Sequence, residues 1–209
     1  MKTISMVFAA LAVLASGSAF SQQWYGGFAV GAARSSVDTA AIDADLTGNL
    51  GFFTSSTVSD TKDSATRIFA GRNVLSWLDV EGYYANLGHT KFTSTVTPRG
   101  TLYVDIKSSA FGVAAVPYFS PMPGLKLFGK AGVARVEAKA QPTGTGFVSV
   151  SDGVKERSTT GVYGAGLQYD FTSSVAARVE YDVHRDLGGD SMGGKFDVKA
   201  ASLGVQIRF

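Results

Sequence analysis

The 209-residue chain contains no cysteine. Disulfide staples and thiolate metal or redox sites are therefore excluded, and stability has to come from packing and hydrogen bonds. Histidine occurs twice, proline five times, and charged residues make up 17% of the chain, with a formal net charge of +2. So small a charge excess gives no basis for binding nucleic acid or for a polybasic membrane patch. Beyond the first 21 residues there is no unbroken apolar run of the ~18 residues a spanning helix needs. No segment shows the period of an amphipathic helix. A chain that crosses a bilayer with strands escapes this hydropathy test, because alternate residues dilute the signal.

What is present points to strands. Glycine is frequent, at 25 residues, and is accompanied by many Val, Ala, Thr, Tyr and Phe, a composition of strands and turns. The first residues form a separate unit. Lys2 supplies a positive start, Ile4 to Ala15 an apolar stretch, and Gly17-Ser18-Ala19 or Ala19-Phe20-Ser21 a small-residue cleavage site. Residues 1–21 read as a secretory signal peptide, and residues 22–209 as one domain.

Eight segments alternate apolar and polar residues, at 23–34, 64–74, 76–88, 101–118, 125–138, 159–171, 174–185 and 196–209. The connections alternate long and short, with the long ones at about 35–63, 89–100, 139–158 and 186–195. Such spacing predicts an all-β fold, an eight-stranded antiparallel up-and-down transmembrane β-barrel with elaborate loops at one end and tight turns at the other. Ten residues rising ~3.3 Å each at a tilt of ~45° span about 23 Å, close to the apolar thickness of an outer membrane.

A soluble lipocalin-like barrel would alternate in the same way with its oily face inward. The membrane alternative is favoured because one parity is apolar in strand after strand. Val104, Ile106, Ala110, Ala114 and Val116 form one such row, and Leu125, Leu127, Ala131 and Val133 another. Tyr163, Ala165, Leu167 and Tyr169 continue it, and Leu203, Val205, Ile207 and Phe209 end it. Aromatic residues cluster near strand ends (Trp24, Tyr25, Tyr83, Tyr84, Tyr118, Phe119, Tyr169, Phe171, Phe209), as interfacial girdles do. The other parity would fill a narrow interior with small residues and a few charges. Asp105, Lys107, Lys130, Arg178, Glu180 and Asp182 are expected to point inward, with Glu81, Arg67 and Gln168 as neighbours.

The stretches "GAGLQYDFTSSVAARVEYDVHRDLG" and "ASLGVQIRF" resemble the sixth to eighth strands of the OmpA-like transmembrane barrel. "RIFAGRNVLSWLDVEGYYANLG" is similar to the second and third strands of that family, and "LFGKAGVARVEA" to its fifth. The resemblance implies an outer-membrane location in a Gram-negative cell, reached through the cleaved signal. It also implies contact with outer-membrane lipids and lipopolysaccharide. The terminal Val205, Ile207 and Phe209 would be the signal read by the barrel assembly machinery. The family's interior ion network would include Glu81 and Arg178, and Lys130, Glu180 and Asp182 would complete it where Gln168 replaces the usual Glu. Because the eighth strand ends the sequence, a barrel-only member without a peptidoglycan-binding domain is expected.

Candidate chemistry is sparse. His184 with Asp182 nearby could suggest a lipid A-modifying enzyme, but the nearest serine, Ser191, sits in a glycine-rich loop, and a solvated rim histidine is the plainer reading. Gly161 to Gly166 lie inside a strand with no helix behind them to receive a phosphate. Asp38, Asp43, Asp45, Asp60 and Asp63 match no calcium-loop spacing. No catalytic residue, cofactor or metal is expected. The leading reading is a non-enzymatic envelope protein whose loops meet host or surface ligands, with a small pore second and the lipid-modifying enzyme third.

Overall fold

The computed structural model of the chain describes residues 24–36, 39–48, 54–97, 100–146, 153–189 and 194–209. The element order is β1 Trp24–Ser36, α1 Thr39–Gly48, β2 Thr54–Asp60, β3 Lys62–Leu75, β4 Leu78–Thr97, β5 Gly100–Met122, β6 Leu125–Gly146, β7 Val154–Asp170, β8 Val175–Gly189 and β9 Gly194–Arg208. Residues 1–23, where the signal peptide is expected, lie outside the described residues.

Eight of these strands close a ring in the order β1-β3-β4-β5-β6-β7-β8-β9, with β9 back on β1. Every pairing is antiparallel. Closure leaves no free sheet edge in the wall, which a bilayer demands of any strand that crosses it. The ninth strand, β2, pairs with β4 on the same side as β3 (Asp60 opposite Lys91, Thr66 opposite Asn86). Together β2 and β3 occupy one position in the ring, interrupted at Thr61. The interruption faces a bulge in β4 between Asn86 and His89, where Gly88 adopts φ +79°. Asp63 clamps it by accepting the His89 amide at 2.7 Å.

The lower half of the ring wears an apolar belt. Val30, Ile68, Tyr84, Phe111, Val113, Val133, Tyr163, Leu167, Val179, Leu203 and Val205 are all exposed. So continuous a band is unsuited to water and needs a lipid cover. Trp24, Trp77, Phe119, Tyr169 and Phe171 stand exposed at the short-turn end, where amphipathic rings mark a membrane–water boundary. The tight turns 75–78, 122–125 and 170–175 lie at this end with both described termini, and the Phe209 amide donates to the Trp24 carbonyl at 3.0 Å.

Inside, four large aromatics each lie opposite a glycine on the next strand: Tyr25 on Gly71, Phe69 on Gly27, Tyr83 on Gly112 and Phe128 on Gly166. A Cβ on Gly112 would come within 2.7 Å of the Tyr83 ring, and one on Gly71 within 2.4 Å of the Tyr25 ring. The missing side chain is what lets each ring lie flat across its neighbour and seal the wall.

The strand architecture differs from the sequence reading in four places. In β5 the parity is inverted: Val104, Ile106, Ala110, Ala114 and Val116 are buried inside, while Phe111 and Val113 face outward. Both parities of this strand are apolar, so alternation carries no direction there, and the crowded interior takes the smaller set. Tyr25 and Tyr83 are buried ring fillers, not girdle residues. Strands β4, β6 and β7 run well past their expected ends, because polar segments such as 89–97 and 139–146 continue the ladder. Finally, the first connection contains α1 and β2, fastened together where the Thr57 hydroxyl donates to Asp43 Oδ1 at 2.6 Å.

Candidate functional site

The alternating strands bring three basic and three acidic side chains together in the middle of the lumen. Arg67 comes from β3, Glu81 from β4, Lys130 from β6, and Arg178, Glu180 and Asp182 from β8. All six are buried. Arg178 Nη1 donates to Glu81 Oε2 at 2.7 Å, and Arg178 Nε lies 3.0 Å from Glu180 Oε1. Lys130 Nζ is 2.6 Å from Glu180 Oε2, 3.3 Å from Asp182 Oδ2 and 3.5 Å from Glu81 Oε1. Arg67 forks between Glu180 and Asp182. The three opposing pairs balance, which is how charge survives in a site closed to water.

Aromatic faces complete the cluster. The Arg178 guanidinium sits 4.6 Å from the Phe69 centroid and 4.5 Å from that of Phe128, and Arg67 also stacks on Phe69 at 5.1 Å. Planar guanidinium stacking of this kind suits arginine rather than lysine. Lys130 lies 5.7 Å from the Tyr83 centroid. Gln206 accepts a further bond from Arg178 at 3.1 Å.

Of the residues expected to line the interior, Glu81, Lys130, Arg178, Glu180, Asp182 and Arg67 come together. Arg67 is as central as any, since it joins both acids of β8. Gln168 is inside but belongs to a lower layer, donating to Asp170 at 2.8 Å, while Arg208 donates to the same carboxylate at 2.5 Å. Asp105 and Lys107 are corrected: Lys107 is exposed, and Asp105 pairs with His89 Nδ1 at 2.8 Å, above the apolar belt. The aromatic partners Phe69, Phe128, Tyr25 and Tyr83 were missed as interior residues. Their signal was their register opposite glycine, which needs the pairing to be seen.

His184 is also corrected. It is 2% exposed, packs edge-on against Tyr83 at 6.2 Å, and is followed by the fully buried Leu187. The wall of β8 rises to Gly189 through a bulge between His184 and Leu187, so the rim lies higher than the sequence suggested. Ser191 lies outside the described residues. Gly161, Gly164 and Gly166 are strand residues of β7.

Above the belt, Glu137 collects three cations: Lys155 at 3.0 Å, Arg157 at 3.0 Å and Lys139 at 3.1 Å. Hydrogen bonds from Lys155, then Arg157 and Lys139, pull its carboxyl down to about 2. Asp63 is held low chiefly by the Ser64 amide, with the His89 amide adding to it.

The sequence of residues 20–209 matches the family model of the OmpA-like transmembrane domain. No curated sequence relative matches the chain. Among solved structures, the chain is similar to Neisserial surface protein A, with a TM-score of 0.59 at 17% identity, covering 89% of this chain and 97% of that one. It is also similar to the N-terminal β-barrel domain of Pseudomonas aeruginosa OprF, with a TM-score of 0.53, 16% identity, and coverage of 90% and 98%. The outer membrane protein OprG of the same organism gives 0.52 at 15% identity, with coverage of 90% and 96%. A closed ring of eight strands, an apolar belt and a family match over nearly the whole length agree: the chain belongs to the OmpA-like transmembrane domain family of outer-membrane β-barrels.

Proposed function

We propose that the protein is a non-enzymatic, non-conducting anchor of the outer membrane, which stabilises the envelope and presents a tall β-wall to the cell exterior. The observation that carries this reading is the plugged lumen. Arg67, Glu81, Lys130, Arg178, Glu180 and Asp182, stacked with Phe69 and Phe128, fill the cross-section where a pore would need water. The part that rises beyond the belt is the upper wall, where β5 and β6 extend to 23 and 22 residues. Surface ligands would meet that wall and its connections.

In this reading residues 1–21 direct export and are removed, leaving 22–209 as the barrel. Phe209, Ile207 and Val205 present the strand end to the assembly machinery, and the apolar belt contacts outer-membrane lipid and lipopolysaccharide. Whole-cell labelling with a membrane-impermeant thiol reagent tests the topology, since the native chain has no cysteine. A Lys155→Cys variant should label on intact cells and a Ser173→Cys variant only after the envelope is opened. The reverse pattern would overturn the orientation. Deletion should raise sensitivity to detergent, and unchanged sensitivity would remove the envelope role.

A further inference from the structure

At the top of the apolar belt, three cations stand side by side on neighbouring strands. Arg34 of β1 is directly opposite Lys62 of β3 on one side and Lys199 of β9 on the other. All three are exposed. Directly opposed residues lie ~4.5–5.5 Å apart at Cα, and like charges so placed repel. Among the described residues no carboxylate forms an ion pair with any of the three; Asp197, one row higher, lies 3.8 Å from Arg185. Elsewhere on the upper wall the protein does neutralise its cations, as Glu137 does for Lys139, Lys155 and Arg157.

Around this row the wall is hollowed. A recess of about 700 Å³ is lined by Ala32, Ala201 and Tyr181 below, by Arg34 and Lys199 at mid-height, and by Ser35, Ser36, Ser59 and Thr61 above. Ala32 and Ala201 are a cross-strand pair, and Tyr181 is opposite Ala201 on the next strand. One row lower, the same face carries the bulkier Val30 and Leu203, paired and both exposed. The small residues therefore make a notch whose lower part meets the lipid-facing wall, with unneutralised positive charge just above the alanines and hydroxyl side chains above that.

We propose that this notch is a binding site for a phosphorylated membrane lipid of the loop-side leaflet. The phosphate sits between Arg34 and Lys199 and accepts charge-assisted hydrogen bonds from both, with Lys62 alongside. An acyl chain lies over Ala32 and Ala201 against Tyr181. The continuity of notch and belt selects an amphiphile over a free anion, because the same molecule fills both halves. The site deepens the membrane reading given above and rests on the belt being in a bilayer.

The test uses the mature barrel refolded in neutral dodecylmaltoside micelles, with thermal unfolding followed by circular dichroism. Bis-phosphorylated lipid A should raise the midpoint of the native sequence, and its dephosphorylated form should not. In the double variant R34Q/K199Q the lipid-free midpoint should stay level or rise, since repulsion is removed, while half-saturation by lipid A moves up about tenfold or more. Ala201→Leu, which fills the notch and keeps the charges, should blunt the response to lipid A. Arg135→Gln, on β6 across the barrel, should leave it intact.

Equal half-saturation in the native and R34Q/K199Q proteins overturns the site, and so does an unchanged response in Ala201→Leu. Inorganic phosphate reproducing the full shift at the same concentration would show a free-anion site and overturn the lipid assignment. Failure of the native chain to insert into phosphatidylcholine vesicles would instead strike the membrane reading itself.

Discussion

Arg178 and Glu81 meet at 2.7 Å in the centre of the barrel, although 97 residues separate them in the chain. The pair links β8 to β4 across the lumen, and the guanidinium lies 4.6 and 4.5 Å from the Phe69 and Phe128 ring centroids. Removing one partner leaves the other buried without its shortest ion pair: Glu81 keeps only Lys130 at 3.5 Å, and Arg178 keeps Glu180 at 3.0 Å. Arg178→Ala or Glu81→Ala should each reduce stability in lipid vesicles by about 3–5 kcal/mol. The double variant should cost less than the sum, because the second removal relieves the orphan left by the first. Arg178→Lys should fail to restore stability, since an ammonium cannot stack between two rings. Urea titrations in vesicles give all four values, and additive losses would argue against direct coupling.

The β5 parity makes a sharp contrast between two neighbouring positions. Val113 is 51% exposed within the belt, whereas Lys107 lies above it. Val113→Arg should cost about 2–4 kcal/mol by placing a charge in hydrocarbon. Lys107→Ala should change stability by about 0.5 kcal/mol or less. Similar losses at the two sites would mean that the belt is misplaced on this strand.

Gly112 lies under the Tyr83 ring, and an added methyl group would also stand 2.8 Å from the Val133 carbonyl. Gly112→Ala should therefore destabilise by about 1–3 kcal/mol through overpacking. Part of the loss should return when Tyr83 is shortened to leucine. Vesicle refolding measures both, and a neutral Gly112→Ala would show that the ring does not lie across the wall.

Acid should leave Glu137 ionised long after ordinary carboxylates protonate. Its folded value of about 2 lies below the usual 4.5. A depressed carboxyl contributes stability above the unfolded value and loses it as pH falls through the folded one. The contribution is therefore present above about pH 4.5, shrinks below it, and is gone once pH falls below about 2. The carboxyl carbon shift in a micelle NMR titration reports this directly. K155Q/R157Q should move the midpoint back toward 4.5, and a native midpoint already there would dissolve the cluster.

Phe209 lets the proposed assembly role be tested apart from stability. It follows β9 directly after Arg208, and its amide, which any residue would supply, closes onto Trp24. Phe209→Ala should reduce the amount of barrel assembled in cells severalfold and leave refolding of purified protein into vesicles nearly unchanged. Equal losses in both assays would make the residue structural only.

Much of this architecture could be read from residue order, and the exceptions share a cause. In β8, one parity is apolar and the other carries Arg178, Glu180 and Asp182, so burying that charge in hydrocarbon fixes the direction of the whole strand. In β5, Val104 to Val116 and Phe111 to Val113 are both apolar rows, and only the volume available inside decides between them. Tyr25 and Tyr83 sit near strand ends in sequence, yet their direction depends on glycines from other strands. Arg67 could be suspected from its parity, but its two acids lie more than a hundred residues away. His184 was misplaced because the bulge after it raises the rim, and a bulge has no periodic signature. The notch at Arg34 and Lys199 was invisible for the same reason, since it exists only in the register of β1 with β9.

Conductance tests the central claim, that the lumen is filled by paired charge and aromatic rings. The mature barrel, reconstituted in planar bilayers in molar salt, should show no steady openings, while the double variant E81A/R178A should begin to flicker. Stable stepwise currents from the native protein would contradict the account and make it a pore.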